Sequence, residues 1–299
     1  MKTHQTLPLV SVYIPTKNRM ELLRRAIDSV LSQSYSHIEI VVVDDGSTDG
    51  THEYLNGLID MSSIRPIFMP VSVGACNARN FAISAAKGEF VTGLDDDDYF
   101  EPNRIRDFVE KWQEGGDQNI KPAGIFDGIR IVRNGSQSLV ASSRPANIND
   151  LKIKNTVGNQ VFAPRENFIG AGLFDNTLPC WQDWDLWCRM AKRYGDFVSC
   201  GNFSYVQDLK STADRISTQP GFVIRYAAKR FKLKHGPYSM SESADFASSL
   251  CDYPQVKLYP SELAMLAGSW QMRALARKLA QNLLPPSAYA SLRALVNPK

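Results

Sequence analysis

Cysteine is scarce and scattered. Cys76, Cys180, Cys188, Cys200 and Cys251 are odd in number and form no CxxC pair. That argues against a zinc knuckle, a redox motif and a disulfide framework, and reduced thiols in a cytosolic protein are expected. Histidine is scarcer still. His4, His37, His52 and His235 show no ligand spacing and are assigned to surface or packing roles. No apolar run approaches the roughly 18 residues of a transmembrane helix. The start, MKTHQTLPLVSVYIP, lacks an apolar segment followed by a small-residue cleavage site, so no signal peptide is expected. Internal repeats and low-complexity tracts are missing too. With 299 residues, 43% of them hydrophobic and 22% charged, the chain can bury a core without staples, as one large domain or a main domain with an appendage.

Strand and helix patterns alternate through the first hundred residues. LVSVYIP (9–15) reads as a buried strand, and NRMELLRRAIDSVLSQ as a helix with Met20, Leu23, Ile27 and Val30 on one face. Asn18 and Glu21 have the spacing of a capping pair. IEIVVVDD (38–45) and EFVTGLD (89–95) are further strands, and RPIFMP is a short one. GACNARNFAISAAKG is a helix that Gly88 is expected to stop. Such alternation implies crossover connections and a mostly parallel sheet. From about 100 to 215 the pattern loosens, with a hairpin signal at Asn134-Gly135. From 216 onward the chain reads as helices.

Three polar clusters fall at strand ends: PTKNR, DDGSTDG and the aspartates Asp95–Asp98. In open α/β sheets that edge is where ligands bind. Adjacent carboxylates a few ångströms apart repel by about 1 kcal/mol in water and roughly 4 kcal/mol at an effective dielectric of 20, so a run of four needs compensation. In an extended chain Asp95 and Asp97 share one side and Asp96 faces the other, an arrangement that suits a hard divalent cation. An EF-hand loop is excluded, because Phe100 stands where its turn glycine belongs and Arg106 where its last acid belongs. Magnesium or manganese shared with a ligand's phosphates fits this short motif better. A solvated acidic turn is the alternative.

VSVYIPTKNRMELLRRAIDSVLSQSYSHIEIVVVDDGSTDGT, then VGACNARNFAISAAKGEFVTGLDDDDYFEP, then FDNTLPCWQDWDLW, in that order and spacing, resembles family 2 glycosyltransferases of the GT-A fold over residues 9–215. The resemblance implies an α/β, Rossmann-like, mostly parallel sheet flanked by helices for residues 1–215, with a helical basic extension at 216–299. It also implies inverting transfer of a sugar from a nucleotide diphosphate donor, usually UDP, with Mn2+ or Mg2+. On the same ground Pro15, Thr16 and Arg19 belong to the loop that wraps the nucleobase. Asp44 meets the uracil ring, Asp45 flanks it, and Arg79 lies beside the nucleotide. Asp95 and Asp97 are the acidic ends of the DxD motif, Asp95 toward the ribose and Asp97 on the metal, both counted as candidate metal ligands. Asp96 between them is assigned to the donor pocket, and Asp98 is the extra acid of the DxDD version. Asp183 corresponds to the catalytic base, with Gln182 where glutamate is more usual. Some relatives add a metal-binding histidine further on, and SYVQDLKSTADRIS offers none.

The chemistry asks for these residue types. Inversion needs an acceptor hydroxyl deprotonated opposite the leaving group, and a carboxylate near its ordinary pKa is ionised for that task. The leaving diphosphate develops charge that a metal can stabilise. Competing structural roles exist. Asp183 and Asp185 both open an apolar helix and could be N-caps; the resemblance favours Asp183 as base and leaves Asp185 structural. Trp181, Trp184 and Trp187 could pack the core or stack on an acceptor sugar. Trp181 is chosen for stacking, with Gln182 beside it on the acceptor side. Asp127 could line the acceptor cleft, but reads first as an exposed turn.

Charge is uneven. Residues 221–299 carry +7 and residues 1–220 carry −4. A basic helical tail suits an anionic membrane surface, and no nucleic-acid-binding motif competes with it. The expected setting is cytoplasmic, peripheral at the inner face of the cytoplasmic membrane. There the enzyme would move a hexose, glucose or galactose, onto a glycan acceptor on a polyprenyl-diphosphate lipid. Bacterial surface polysaccharide such as O-antigen or capsule follows from family habit. Two rivals are weighed. A sugar-nucleotide pyrophosphorylase would want a glycine-rich loop after the first strand, and IPTKNR has no glycine. An inactive nucleotide-sugar or glycan-binding module would have lost Asp183, Asp95 or Asp97.

Overall fold

A computed structural model describes residues 7–117, 121–133, 135–140, 144–209, 219–269 and 271–284. In chain order the elements are β1 (Val10–Thr16), α1 (Met20–Leu31), β2 (Ile38–Asp44), α2 (Thr51–Asn56), β3 (Ile64–Phe68), α3 (Ala75–Ala85), β4 (Phe90–Gly93) and β5 (Tyr99–Phe100). Then come α4 (Arg104–Asp117), β6 (Gly124–Phe126), β7 (Ile129–Arg133), β8 (Ser136–Val140), α5 (Ile148–Ile153), β9 (Phe162–Pro164), α6 (Arg165–Gly170) and α7 (Gln182–Tyr194). The last are β10 (Phe197–Ser199), β11 (Tyr205–Asp208), α8 (Gly221–His235), α9 (Met240–Leu250), α10 (Pro260–Gly268) and α11 (Met272–Leu283).

The chain divides into two compact units. One comprises Met1–Ile148, Thr156–Thr177 and Gln182–Ser211; the other comprises Asn149–Asn155, Leu178–Trp181 and Thr212–Lys299. The main division falls at 211, and two short pieces of the first 215 residues belong to the second unit.

The first unit is built on a seven-stranded sheet of order β10-β6-β9-β4-β1-β2-β3, parallel except where β9 runs antiparallel between β4 and β6. All seven residues of β1 are buried, as are six of seven in β2. A parallel sheet covered on both faces selects such continuous apolar strands. Leu23, Ala26, Ile27 and Val30 of α1 pack into this core with Val12, Ile14, Ile40 and Val42. A second sheet, β5-β11-β7-β8, contains the expected hairpin. Arg133 pairs with Ser136 across a two-residue turn in which Gly135 has φ +79°, while Asn134 lies outside the described residues.

Two local expectations are corrected. Asn18 and Glu21 do not cap α1. Asn18 sits at φ +54°, its Oδ1 accepts from the Thr48 N–H at 2.7 Å, and Asp49 Oδ2 accepts from the Met20 N–H at 3.1 Å. The DDGSTDG loop therefore caps the helix from a distance in sequence. Gly88 does not terminate α3, which ends at Ala85. A Cβ on Gly88 would lie 2.5 Å from Ser11 Oγ and 2.8 Å from the Leu9 carbonyl oxygen, so the glycine serves close backbone approach.

The register explains where the sheet opens. β4 pairs with β1 from Val10 to Tyr13 and stops at Gly93, whereas β2 follows β1 as far as Thr16. Pro15, which has no N–H to donate, falls beyond the reach of β4. The two strands part there, and the acidic segment begins two residues after Gly93.

The second unit gathers α8, α9, α10, α11 and most of α5. Phe231, Phe246, Tyr253 and Trp181 form an aromatic cluster, with Trp181 Nε1 donating to Tyr253 Oη at 3.0 Å. The α9 start carries a complete capping box between Ser239 and Glu242. Among the described residues no helix is long and apolar enough to cross a membrane.

Gly93 offers a test of this packing. A Cβ there would collide with Gln160 Oε1 and lie 2.4 Å from Tyr13 Cζ. Gly93→Ala is expected to lower stability by about 1–3 kcal/mol, the usual cost of overpacking, read as a lower urea midpoint at unchanged slope.

Candidate active site

The carboxyl edge of the sheet collects the predicted residues. The aspartates do not form an extended strand. The Asp98 N–H donates to the Asp95 carbonyl at 3.0 Å, closing a turn, so the expected alternation of Asp95 and Asp97 against Asp96 does not hold. Each carboxylate meets different partners. Arg79 Nη2 lies 3.0 Å from Asp95 Oδ1, and Asp95 also accepts from Asn159 Nδ2 at 3.0 Å and Gln160 Nε2 at 3.3 Å. Arg19 Nη1 bridges Asp96 at 3.1 Å and Asp97 at 3.2 Å. Thr16 Oγ1 donates to Asp96 at 2.8 Å. Asp98 is buried and accepts from Tyr205 Oη at 2.9 Å and the Asp208 N–H at 3.2 Å. Arg25 clamps the turn from α1, with one nitrogen on the Asp97 carbonyl and another on Asp208, each at 2.5 Å.

Burial sets the protonation of this group. It pushes Asp96 up to about 6 against the pull of Arg19 and Thr16. Burial and the neighbouring carboxylates of Asp95 and Asp97 raise Asp98 as well. Asp95 and Asp97 are the less enclosed of the four, with 25% and 17% of their side chains exposed against 8% for Asp96.

The loop after β2 holds a second cluster. Asp44 is buried, accepts from the Ser47 N–H at 3.0 Å, and has His52 Nδ1 3.9 Å away. The His52 ring lies on Phe68, with centroids 4.1 Å apart. Asp45 holds the neighbouring loop. Its oxygens accept from Ser72 Oγ at 2.7 Å, the Val73 N–H at 2.6 Å and the Gly74 N–H at 3.0 Å. Both oxygens are engaged in holding the loop that leads into α3, and through α3 they help position Arg79.

Asp183 lies in the first turn of α7. Burial pushes its pKa up to about 6, against the Trp184 N–H and the charge of Arg79, with Asp95 adding repulsion. This corrects the expectation of an ordinary carboxylate. Arg79, Asp95, Asp183 and the Tyr13 hydroxyl thus share one electrostatic neighbourhood. Asp185, two residues on, is fully buried and held by Arg189 at 2.8 and 2.9 Å, a structural ion pair.

Other expectations fare differently. Trp181 is 8% exposed in the aromatic cluster of the second unit, at φ +65°, which corrects its assignment as a stacking platform. Gln182 is the buried first residue of α7. Trp184 and Trp187 are core residues, Trp187 donating to the Gly158 carbonyl. Asp127 is no exposed turn: it is buried, accepts from the Ser204 N–H and Oγ, and lies 3.9 Å from Arg104. Residues 210–218, part of the stretch searched for a histidine, and His4 lie outside the described residues. Asn159, Gln160, Tyr205, Arg25 and Asp208 were missed, because no periodicity marks them. Their one signal is a polar cluster, GNQ, directly before the buried run of β9.

A mostly parallel sheet with an arginine-held acidic turn at its carboxyl edge is the arrangement of a GT-A glycosyltransferase. The chain belongs to glycosyl transferase family 2, whose model matches residues 11–168. It is 38% identical over 196 residues to a protein of Escherichia coli (strain K12) named as the colanic acid biosynthesis glycosyl transferase WcaA, covering 63% of this chain and 68% of that one. An uncharacterized glycosyltransferase of Rickettsia felis is 33% identical over 194 residues, 62% of this chain and 32% of its own length. Among solved structures, Staphylococcus aureus TarS 1-349 in complex with UDP-GlcNAc superimposes with a TM-score of 0.63 at 17% identity, covering 91% of this chain and 89% of that one. The mannosyltransferase PcManGT from Pyrobaculum calidifontis, in complex with GDP-Man and Mn2+, gives 0.54 at 16% identity, covering 98% and 80%.

The raised Asp183 pKa has a stability consequence. A carboxyl that ionises near 3.9 when unfolded and about 6 when folded binds more protons in the native state between those values. Its contribution is fully present below about pH 4 and is lost as pH rises through about 6. Asp183→Asn keeps a neutral group at all pH. The variant is expected to gain stability over the natural protein as pH rises from about 4 to 7, measured as the difference in urea midpoints.

Proposed function

We propose that this glycosyltransferase inverts the anomeric centre of a UDP-hexose, with Asp183 as general base. The observation that carries the reading is that Asp183 shares one electrostatic neighbourhood with Arg79 and Asp95, at the edge where Asp97 remains partly exposed. An acceptor hydroxyl gives its proton to the Asp183 carboxylate while its oxygen attacks C1 of the sugar. The bond from C1 to the diphosphate oxygen breaks, and the nucleoside diphosphate leaves with the electron pair. A base of pKa about 6 is largely ionised at pH 7 and still basic enough to accept the proton. Asp44, with His52 on Phe68, offers an acceptor group and a planar wall for the uracil ring, and Pro15, Thr16 and Arg19 close the other side of that loop cluster. Arg79 serves the nucleotide through its hold on Asp95.

No group of three or more His, Cys, Asp or Glu side chains able to hold a metal ion occurs among the described residues. A site made of one or two carboxylates plus substrate phosphates is the ordinary magnesium or manganese arrangement, and the hard oxygen of Asp97, with Asp95 nearby, fits that donor set. When bound, such an ion would offset charge on the leaving diphosphate. In this structure Arg19 supplies positive charge to the same carboxylate.

The match to a protein named for colanic acid biosynthesis supports a role in bacterial surface polysaccharide. The acceptor we favour is a glycan on a polyprenyl diphosphate, reached by a peripheral enzyme at the inner face of the cytoplasmic membrane. Glucose or galactose is the proposed sugar, to be tested by mass spectrometry against a panel of UDP- and GDP-sugars with a synthetic lipid-diphosphate acceptor. Turnover with GDP-sugars alone would overturn the UDP assignment.

Two further outcomes are expected. Asp183→Asn should retain fold and nucleotide-sugar affinity while kcat falls at least about 10²-fold, and the natural enzyme should lose kcat as pH drops below about 6. Near-normal turnover in a folded Asp183→Asn protein would remove Asp183 as the base. Asp97→Ala should abolish transfer, and EDTA should do so reversibly on metal readdition; full activity in EDTA would overturn metal dependence.

A further inference from the structure

Helix α8 has two unlike sides. Ile224, Ala227, Ala228 and Phe231 are buried within the protein. The opposite side of a surface helix is normally polar. Here it carries Phe222, Tyr226 and Leu233, exposed by 76%, 51% and 78%. Together with Lys229 they follow i, i+4, i+7, i+11, the spacing of one helical face. Lys229, Arg230 and Lys234 are exposed along the same side. The Arg230 guanidinium lies 5.9 Å from the Tyr226 ring centroid, so its stem runs beside the apolar stripe. The helix contains five Lys/Arg and no Asp or Glu.

The tail's net charge alone is a poor guide to where a contact lies. Lys278 is buried and donates to the Tyr253 carbonyl at 3.1 Å, and Arg225 is held by Glu262 at 2.7 Å. Lys229, Arg230 and Lys234 are exposed beside large apolar side chains.

An occupant of this face must accept apolar side chains and positive charge together. A second copy of the chain, docked by two-fold symmetry, would bring Lys229, Arg230 and Lys234 against themselves, and like charges facing each other oppose that pairing. An anionic bilayer satisfies both demands. Phe222 and Leu233 reach the acyl boundary, Tyr226 sits at headgroup level, and the cationic stems extend to lipid phosphates. We infer that the outer face of α8, centred on Phe222, Tyr226, Lys229, Arg230 and Leu233, is the surface by which this protein binds an anionic membrane. The inference deepens the membrane part of the proposed function and is independent of the base, the metal and the donor.

The test is co-sedimentation of the full chain with vesicles of mixed phosphatidylglycerol and phosphatidylcholine, against pure phosphatidylcholine, at low and high salt. The natural protein should bind the anionic vesicles and weaken with salt. Phe222→Ser with Leu233→Ser, and separately Lys229→Glu with Arg230→Glu, should each weaken binding at least about ten-fold. Both pairs should leave the melting temperature and transfer to a short water-soluble acceptor unchanged. Phe81→Ser, an exposed aromatic of the first unit, is the control that should bind as before. If the natural protein binds and both pairs bind equally well, the membrane reading stands and this face is wrong. If the natural protein ignores anionic vesicles at low salt, the membrane contact itself falls, while soluble-acceptor transfer still reports on the enzyme. A dimer that the Phe222/Leu233 pair converts to monomer would assign the face to a second copy.

Discussion

Four consecutive carboxylates at one sheet edge are the constraint around which the first unit is arranged. At an effective dielectric of 20 each close pair costs roughly 4 kcal/mol, and the protein offsets this by drawing cations and donors from separate elements. Arg79 comes from α3, Arg19 from the residue before α1, and Arg25 from α1 itself. Tyr205 and the Asp208 N–H come from β11 in the second sheet. The turn at Asp95–Asp98 is thus where both sheets and two helices meet, and its geometry depends on all of them. Asp96 and Asp98 are nearly enclosed there, while Asp95 and Asp97 keep 25% and 17% of their side chains exposed.

The same neighbourhood shapes the candidate base. Asp183 is crowded enough to resist ionisation, yet Arg79 stands close enough to moderate the shift. Arg79 therefore has two duties, pairing Asp95 and tuning Asp183. Asn159 and Gln160 also donate to Asp95, and Gln160 accepts from the Tyr13 hydroxyl at 2.8 Å. Gly93 leaves room for that contact, which links the backbone of β4 to the polar order of the site.

Much of this was legible in the residues. Continuous apolar strands 9–15 and 38–45, the one-sided apolar face of α1 and the polar clusters following each strand predict a parallel sheet with a site at one edge. The physical basis is local: burial on both faces demands uninterrupted apolar runs, and helical periodicity needs only neighbours in sequence. Asp44 and the Asp95–Asp98 run were found because they follow such runs, and Asp183 was assigned through the family resemblance. Asn159, Gln160, Tyr205 and Arg25 interrupt nothing. They enter the site through contacts as distant as Asp98 with Asp208, which no spacing rule encodes.

Trp181 and Asp45 show the division most clearly. As residues, an aromatic beside a candidate base and an acid beside a uracil-facing acid invite functional roles. Contacts add what the residues alone do not show: the Trp181 ring is enclosed by Phe231, Phe246 and Tyr253, and both Asp45 oxygens accept from residues 72–74. The sequence by itself determined the alternating α/β order and the family's motif residues, because periodicity and charge runs are properties of adjacent positions. Only the tertiary structure decided how each carboxylate is paired, that Asp96 and Asp183 are shifted to about 6, and which tail cations are exposed, because burial and pairing are set by residues far apart in the chain.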